Sequence, residues 1–139
     1  MTYDVKSILL QHGINPSFHR LKIYEYLCAT KEHPTVDTIH ADMAVAIPTL
    51  SKTTVYNTVK ALVENGLAAA ITIEDNEVRY DADMSGHGHF KCITCGALHD
   101  VDLRHLAIGS AMSSGKKVQG HLIMERHIYL KGICRECQK

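Results

Sequence analysis

Residues 51–66 read Ser51-Lys52-Thr53-Thr54-Val55-Tyr56-Asn57-Thr58-Val59-Lys60-Ala61-Leu62-Val63-Glu64-Asn65-Gly66, and this stretch decides the fold of the first half of the chain. Val55, Val59 and Leu62 recur at i, i+4 and i+7, a spacing that lines apolar side chains along one side of a helix. Gly66 supplies the stop, because a helix C-terminus commonly closes on a residue at positive φ, which glycine adopts without steric cost. The spacing predicts a helix from Ser51 to Gly66 with Lys52, Thr53, Tyr56, Asn57 and Lys60 on its outward face.

Three more helices are expected upstream. Tyr3 to His12 closes at Gly13. Asn15-Pro16 offers a cap and a first-turn proline for a helix to about Thr30, with Phe18, Leu21, Tyr24, Leu27 and Cys28 at helical spacing. Cys28 is expected to be a small buried residue of that face. Pro34-Thr35 opens the third helix, with Asp37 at the positive end of its dipole. After Gly66 the pattern turns to strand: Ala68 to Ile73, a polar turn at Glu74-Asp75-Asn76, then Glu77 to Asp81. Helices followed by a hairpin outline a winged helix-turn-helix, in which the fourth helix enters the major groove of DNA. Charge lends this reading no help. Residues 1–66 hold six basic and six acidic side chains, so a plain solvated polar face competes with a DNA-reading one.

The whole chain, 139 residues with Lys plus Arg and Asp plus Glu at 15 each, has room for two small domains and no net charge to name a partner. No apolar run reaches the roughly 20 residues of a membrane span, and Met1 to Lys6 is too polar for a signal peptide. A cytoplasmic location with no membrane partner is therefore expected, and a reducing compartment disfavours disulfides. Against that background, ten His and five Cys stand out.

Four of the cysteines form Cys92-Ile93-Thr94-Cys95-Gly96 and Cys134-Arg135-Glu136-Cys137. Each CxxC can turn back to aim two thiolates at one ion, and two such knuckles complete the closed tetrahedral shell of a structural Zn(II). A redox CxxC would explain one pair but not its match. A second cluster is less regular. His87 and His89 flank Gly88, so a strand would put both rings on one side. Asp81 and Asp83 precede them, Asp100 follows, and His33 lies far upstream. Spacing alone leaves open a polar hinge with exposed histidines. If the donors converge, imidazole and carboxylate suit Fe(II), Mn(II) or Zn(II).

Glu32-His33-Pro34-Thr35, Thr53-Thr54-Val55-Tyr56-Asn57, Asn65-Gly66-Leu67, Arg79-Tyr80-Asp81, His87-Gly88-His89 and the two knuckles together resemble, in order and approximate spacing, the ferric uptake regulator (Fur) family, over nearly the whole chain. Within it the chain looks most like the peroxide-sensing PerR branch. The resemblance implies a regulatory Fe(II) or Mn(II) bound by His33, Asp81, His87, His89 and Asp100. Asp100 and Asn57 match that branch where iron sensors usually carry Glu and Arg. It also implies operator contacts from Lys52, Thr53, Thr54, Tyr56, Asn57 and Lys60, with Arg20 of the second helix. Three departures stand out. Phe18-His19 precedes Arg20 where Pro-Gln is usual, and His40 stands where Tyr is common. Gly86, Gly88 and Arg126 occupy the positions of an additional metal site, while His127 lies one residue away, on the opposite face if that segment is a strand.

The expected architecture is α+β: a winged helix-turn-helix DNA-binding domain over residues 1–82, then a small α/β metal-binding dimerisation domain over 83–139 with the four-cysteine zinc site. Strands are expected near Phe90 to Cys92, near Leu98 to Val101 and between Lys117 and Ile133, with a helix from about Leu103 to Ser113. The resemblance implies a metal-dependent repressor, a homodimer on double-stranded operator DNA, with peroxide read through oxidation of His33 or His87; Gly86 and Gly88, between the ligands of the two halves, are expected to form a hinge. A metal bound by both halves would set two recognition helices about 34 Å apart, one DNA turn. An iron- or zinc-level sensor of the same fold, a metal-storage or protein-interaction module, and a zinc enzyme are the other readings. The last lacks both H-E-x-x-H and the H-x-E…P-C-x-x-C pattern of zinc deaminases, so no catalysis is expected.

Overall fold

In the computed structural model, which describes residues 4–74, 76–105 and 115–139, the first of two units (Met1–Met84) runs α1 (Val5–Gln11), α2 (Phe18–Ala29), α3 (Val36–Ala44), α4 (Lys52–Glu64), β1 (Ala69–Ile71) and β2 (Arg79–Asp81). Helix α4 forms where its apolar spacing placed it. The Ser51 hydroxyl accepts from the Thr54 amide at 3.1 Å and caps the first turn. At the other end the Gly66 amide donates to Val63 O (3.2 Å) and the Leu67 amide to Leu62 O (2.8 Å), with Gly66 at φ +79°. This double bond pattern closes a helix by leaving the right-handed region for one residue. Val55, Val59 and Leu62 are wholly buried, each contributing about 1.5–3 kcal/mol of burial. They join Leu9, Ile23, Leu27 and Ile39 from the other helices in one core, which Leu67, Ala68 and Tyr80 extend to the hairpin.

Helix α2 closes at its C-cap Thr30 as expected but corrects the sequence reading at its start. Its cap is Ser17, whose Oγ accepts from the Arg20 amide; Asn15-Pro16 lies before it in a turn, where Asn15 O accepts from the Ser17 amide at 2.9 Å. Its buried residues are Ile23, Tyr24 and Leu27. Phe18 is 60% exposed, with Lys22 Nζ 5.8 Å from its ring centroid. Cys28 is exposed as well, contrary to the expectation of a buried thiol. Thr35 caps α3 by accepting from the Thr38 amide. His40 donates through Nε2 to Leu50 O at 2.8 Å, fastening α3 to the turn that leads into α4.

Strands β1 and β2 pair antiparallel with Ala69 opposite Asp81, Ala70 opposite Tyr80 and Ile71 opposite Arg79. Residues 33–35 lie beside β2: the Tyr80 amide donates to Pro34 O at 2.9 Å, and Thr35 bridges Arg79. Four helices and a hairpin wing make this unit a winged helix-turn-helix.

The second unit (Ser85–Lys139) contains β3 (His87–Cys92), β4 (Leu98–Asp102), β5 (Lys117–Val118), β6 (His121–Leu122) and β7 (Tyr129–Gly132), with short 3-10 turns at Leu103–His105 and Glu136–Gln138. Its main sheet has the order β4-β3-β7, with β3 antiparallel to β4 and parallel to β7, while β5 and β6 form a separate hairpin. The helix expected from Leu103 to Ser113 is seen only as the 3-10 turn at its start; the rest falls outside the described residues. Gly88 is no hinge. It sits buried in the middle of β3, where an added Cβ would meet Ile128 Cγ2 and O at 3.2 Å. Among the described residues no helix is long and apolar enough to cross a membrane.

Candidate metal centres and DNA interface

The first centre is built by the sheet of the second unit. Strand β3 ends at Cys92, and the chain turns so that the Gly96 amide donates to Cys92 O (3.0 Å) while the Cys92 amide donates to Ala97 O (3.0 Å). Gly96, at φ +79°, makes the turn possible. Parallel pairing sets Cys92 beside Gly132, and this register brings the second knuckle, beginning at Cys134, onto the first. All four Sγ atoms, of Cys92, Cys95, Cys134 and Cys137, lie within 4.8 Å of one another, with Cys95 and Cys134 at 3.8 Å. Thiolates about 2.3 Å from a shared zinc sit about 3.8 Å apart in a tetrahedron, so the spacing fits the ion. The amides of Cys95 and Cys134 aim at Cys92 Sγ (3.5 and 3.3 Å) and pull that thiol down to about 5. Cys137, sharing hydrogen bonds with Cys134 first and with its other thiol neighbours, is pushed up to about 12. The amides thus prepare the Cys92 thiolate, while Cys137 holds its proton until a cation takes its place.

The second donor set occurs as two groups, one in each unit. In the first unit His33 and Asp81 are both buried, with Nε2 and Oδ2 3.3 Å apart. His33 has φ +53°, an uncommon conformation for a residue with a Cβ. Asp81 Oδ1 accepts the Asp83 amide at 2.8 Å, which orients the carboxylate; this is where Asp83 is used. In the second unit His87 and His89 project from one side of β3, their Nε2 atoms 3.2 Å apart. Register places Asp100 of β4 directly opposite His89, with Oδ1 3.5 Å from His89 Nε2 and 3.6 Å from His87 Nε2. His87 Nδ1 lies 2.8 Å from Ser85 O. A carbonyl can only accept, so that nitrogen carries the proton and Nε2 presents the lone pair a metal needs. Each group is a preassembled fragment of a mixed imidazole and carboxylate shell, chemistry suited to Fe(II), Mn(II) or Zn(II). His127 takes no part: it is exposed, with Nε2 3.1 Å from Glu125 Oε2 and Nδ1 3.3 Å from the Tyr129 hydroxyl.

On α4, Lys52, Thr53, Tyr56, Asn57 and Lys60 are all exposed, Tyr56 by half its surface. Thr54 is half-buried at the cap, its hydroxyl 2.9 Å from that of Ser51. Lys52 pairs with Asp37 of α3 at 3.1 Å, and Lys60 lies 4.0 Å from Glu64. Arg20 is on α2, half-buried, and donates through a guanidinium nitrogen to Asn15 O at 3.1 Å. Sequence reasoning passed over the hydrogen bond from Arg79 to His33 O, for which the Arg79-Tyr80-Asp81 motif was the available signal, and the close packing that requires Gly88.

The sequence profile of the Ferric uptake regulator family matches residues 11–131. A protein of Bacillus subtilis (strain 168) described as "Peroxide operon regulator" is 30% identical over 131 residues, covering 94% of this chain and 89% of that one. PerR from Streptococcus pyogenes, whose structure is described as a basis for peroxide sensing and gene regulation, is 29% identical, with a TM-score of 0.52 over 97% of this chain and 91% of that one. The Campylobacter jejuni peroxide stress regulator shares the fold with a TM-score of 0.71 over 99% of this chain and 100% of that one, at 24% identity.

Proposed function

The chain belongs to the ferric uptake regulator family, and from that membership we propose that it is a peroxide-responsive, metal-dependent transcriptional repressor. Residues 1–82 read operator DNA, and residues 83–139 hold zinc and form the homodimer. The family's fold implies DNA binding and dimeric behaviour; the particular contacts are our assignment. The observation that carries the reading is the donor chemistry: two groups, buried or half-buried but for the exposed Asp100, that together offer three imidazoles and two carboxylates, beside a separate four-thiolate cluster. Cys92, Cys95, Cys134 and Cys137 hold Zn(II) in a closed shell. His33 and Asp81 with His87, His89 and Asp100 take one Fe(II) or Mn(II).

Because two ligands belong to one unit and three to the other, binding favours one arrangement of the units over all others. The fraction of molecules able to engage DNA then rises, and apparent affinity rises with it. Tyr56 and Asn57 contact base edges, Lys52, Thr53 and Lys60 the flanking phosphates. Thr54 holds the helix start, and Arg20 supports the face from α2. Bound Fe(II) supplies redox chemistry toward peroxide that Mn(II) lacks. The chain's own part is to hold His33 and His87 where an added ring oxygen removes a donor and separates the units.

The test uses full-length zinc-loaded protein carrying either Fe(II) or Mn(II), briefly exposed to low peroxide and then analysed by peptide mass spectrometry and operator binding. One oxygen on the His33 or His87 peptide in the iron form alone, with operator binding lost, is the expected result. Unmodified histidines with retained DNA binding in the iron form would make the protein a sensor of metal level instead.

A further inference from the structure

Arg79 and Asp81 alternate along β2, so both side chains face the same side of the wing sheet, while Tyr80 between them enters the core. His33 lies on that side. Its ring meets Asp81 at 3.3 Å, and its carbonyl accepts from a guanidinium nitrogen of Arg79 at 3.3 Å. A different nitrogen of the same guanidinium, Nε, donates to Glu74 Oε1 at 3.0 Å, and Nη2 lies 3.6 Å from Glu77 Oε1. Glu74 and Glu77 sit in the 72–78 connection that forms the tip of the wing. The Arg79–Glu74 pair is three-quarters buried or more on each side, so solvent screens it far less than a surface pair.

We propose that Arg79 is a positioning residue that couples metal capture at His33 to the conformation of the wing. The proposal rests on the reading of His33 as a metal ligand. The backbone at His33 is held in the left-handed region, an arrangement that persists only where the surroundings over-determine it. Two of those constraints come from β2: the Tyr80 amide on Pro34 O and the Arg79 guanidinium on His33 O. A planar, permanently charged fork can hold two acceptors in fixed relative position, which a single ammonium cannot. When a metal fixes the His33 ring, the carbonyl behind it, the guanidinium and Glu74 are fixed in turn, and the wing tip loses freedom. Coupling of this kind is reciprocal: a wing held on DNA strengthens metal binding by the same factor.

The experiment compares wild type, Arg79→Gln, Glu74→Ala and His33→Ala as full-length zinc-loaded proteins. Mn(II) affinity is measured by titration calorimetry, and amide exchange across residues 72–78 is followed with and without Mn(II). In wild type, Mn(II) slows exchange at the wing tip. Arg79→Gln lowers Mn(II) affinity about ten-fold, the scale on which groups that orient a ligand act, and abolishes the slowing. Glu74→Ala abolishes the slowing with a smaller loss of affinity, and it carries the test if Arg79→Gln folds poorly. Metal-dependent slowing that survives in both variants, or Mn(II) affinity within two-fold of wild type in a folded Arg79→Gln, overturns the coupling. Mn(II) affinity unchanged in His33→Ala would instead overturn the ligand assignment beneath it.

Discussion

Gly88→Ala should damage the protein twice over through one methyl group. The new Cβ would stand 3.2 Å from both Cγ2 and O of Ile128 and 3.3 Å from its Cβ, against about 3.5–4.0 Å for a comfortable carbon contact. Side-chain motion cannot relieve this, because the Ile128 carbonyl is pinned by the His89 amide at 2.9 Å. The backbones must part by a few tenths of an ångström. Overpacking of this kind costs about 1–3 kcal/mol, or roughly 4–12 °C in the melting of a chain this size. The second effect falls on His87 and His89, which flank Gly88 with Nε2 atoms 3.2 Å apart. Metal shells tolerate only about ±0.2 Å, so Mn(II) affinity should fall by an order of magnitude or more. Gly86→Ala is the control, since nothing lies within 3.9 Å of its added Cβ, and it should match wild type in both measures. Melting followed by circular dichroism and Mn(II) titration of the two variants decide the matter. A Gly88→Ala protein as stable and as metal-avid as Gly86→Ala would refute the close-approach argument.

On α4, Asn57→Ala should cost about 1–3 kcal/mol on operator DNA and relax preference at one base position, whereas Lys60→Ala should weaken all sequences alike and lower the salt dependence; fluorescence anisotropy on specific and scrambled duplexes at two salt concentrations separates them. Cys134→Ser should reduce zinc from about one ion per chain to none and abolish the dimer in sedimentation, as expected when a structural zinc worth about 10–16 kcal/mol is lost. Cys28→Ser, at an exposed position of α2, should retain both zinc and dimer.

Local periodicity made α4 legible, since burial of Val55, Val59 and Leu62 depends only on the helix repeat, and the Ser51 and Gly66 signals lie next to the element they bound. The start of α2 misled because Asn15-Pro16 and Ser17 both carry cap chemistry within three residues, and it is Ser17 that accepts the Arg20 amide. Phe18 and Cys28 are exposed because the face that packs is centred on Ile23, Tyr24 and Leu27. The knuckles were legible because each CxxC is short and self-contained. The histidine and aspartate donors were harder for a physical reason: the place of Asp100 depends on the register of β3 with β4, and His33 is set against Asp81 by pairing across some fifty residues. Gly88 looked like a hinge because glycine marks flexibility and close approach equally, and the Ile128 segment that approaches it comes from a parallel crossover no local pattern announces.

The two metal centres differ in the way their roles require. All four thiolates belong to one unit, so zinc bound there stabilises that unit's sheet and its two knuckles without reporting on anything outside it. Full occupancy costs the protein no responsiveness, and a closed shell releases its ion slowly. The imidazole and carboxylate donors are divided between the units, two and three, and each group is already formed: an oriented carboxylate on a buried histidine, and two coplanar strand positions facing one aspartate. Little ordering within either group would remain for the ion to do, so under the proposed function its binding energy is available to join them. For any two-state protein, a shift from one competent molecule in a hundred to nearly all requires a differential affinity of about 10⁴-fold, some 5.5 kcal/mol. In the proposed repressor, loss of one neutral histidine from such a shell should remove part of that difference and lower the competent fraction. A ligand set split between units therefore turns a small chemical lesion into a large change in occupancy on DNA, and the same lesion in a set confined to one unit would change only stability.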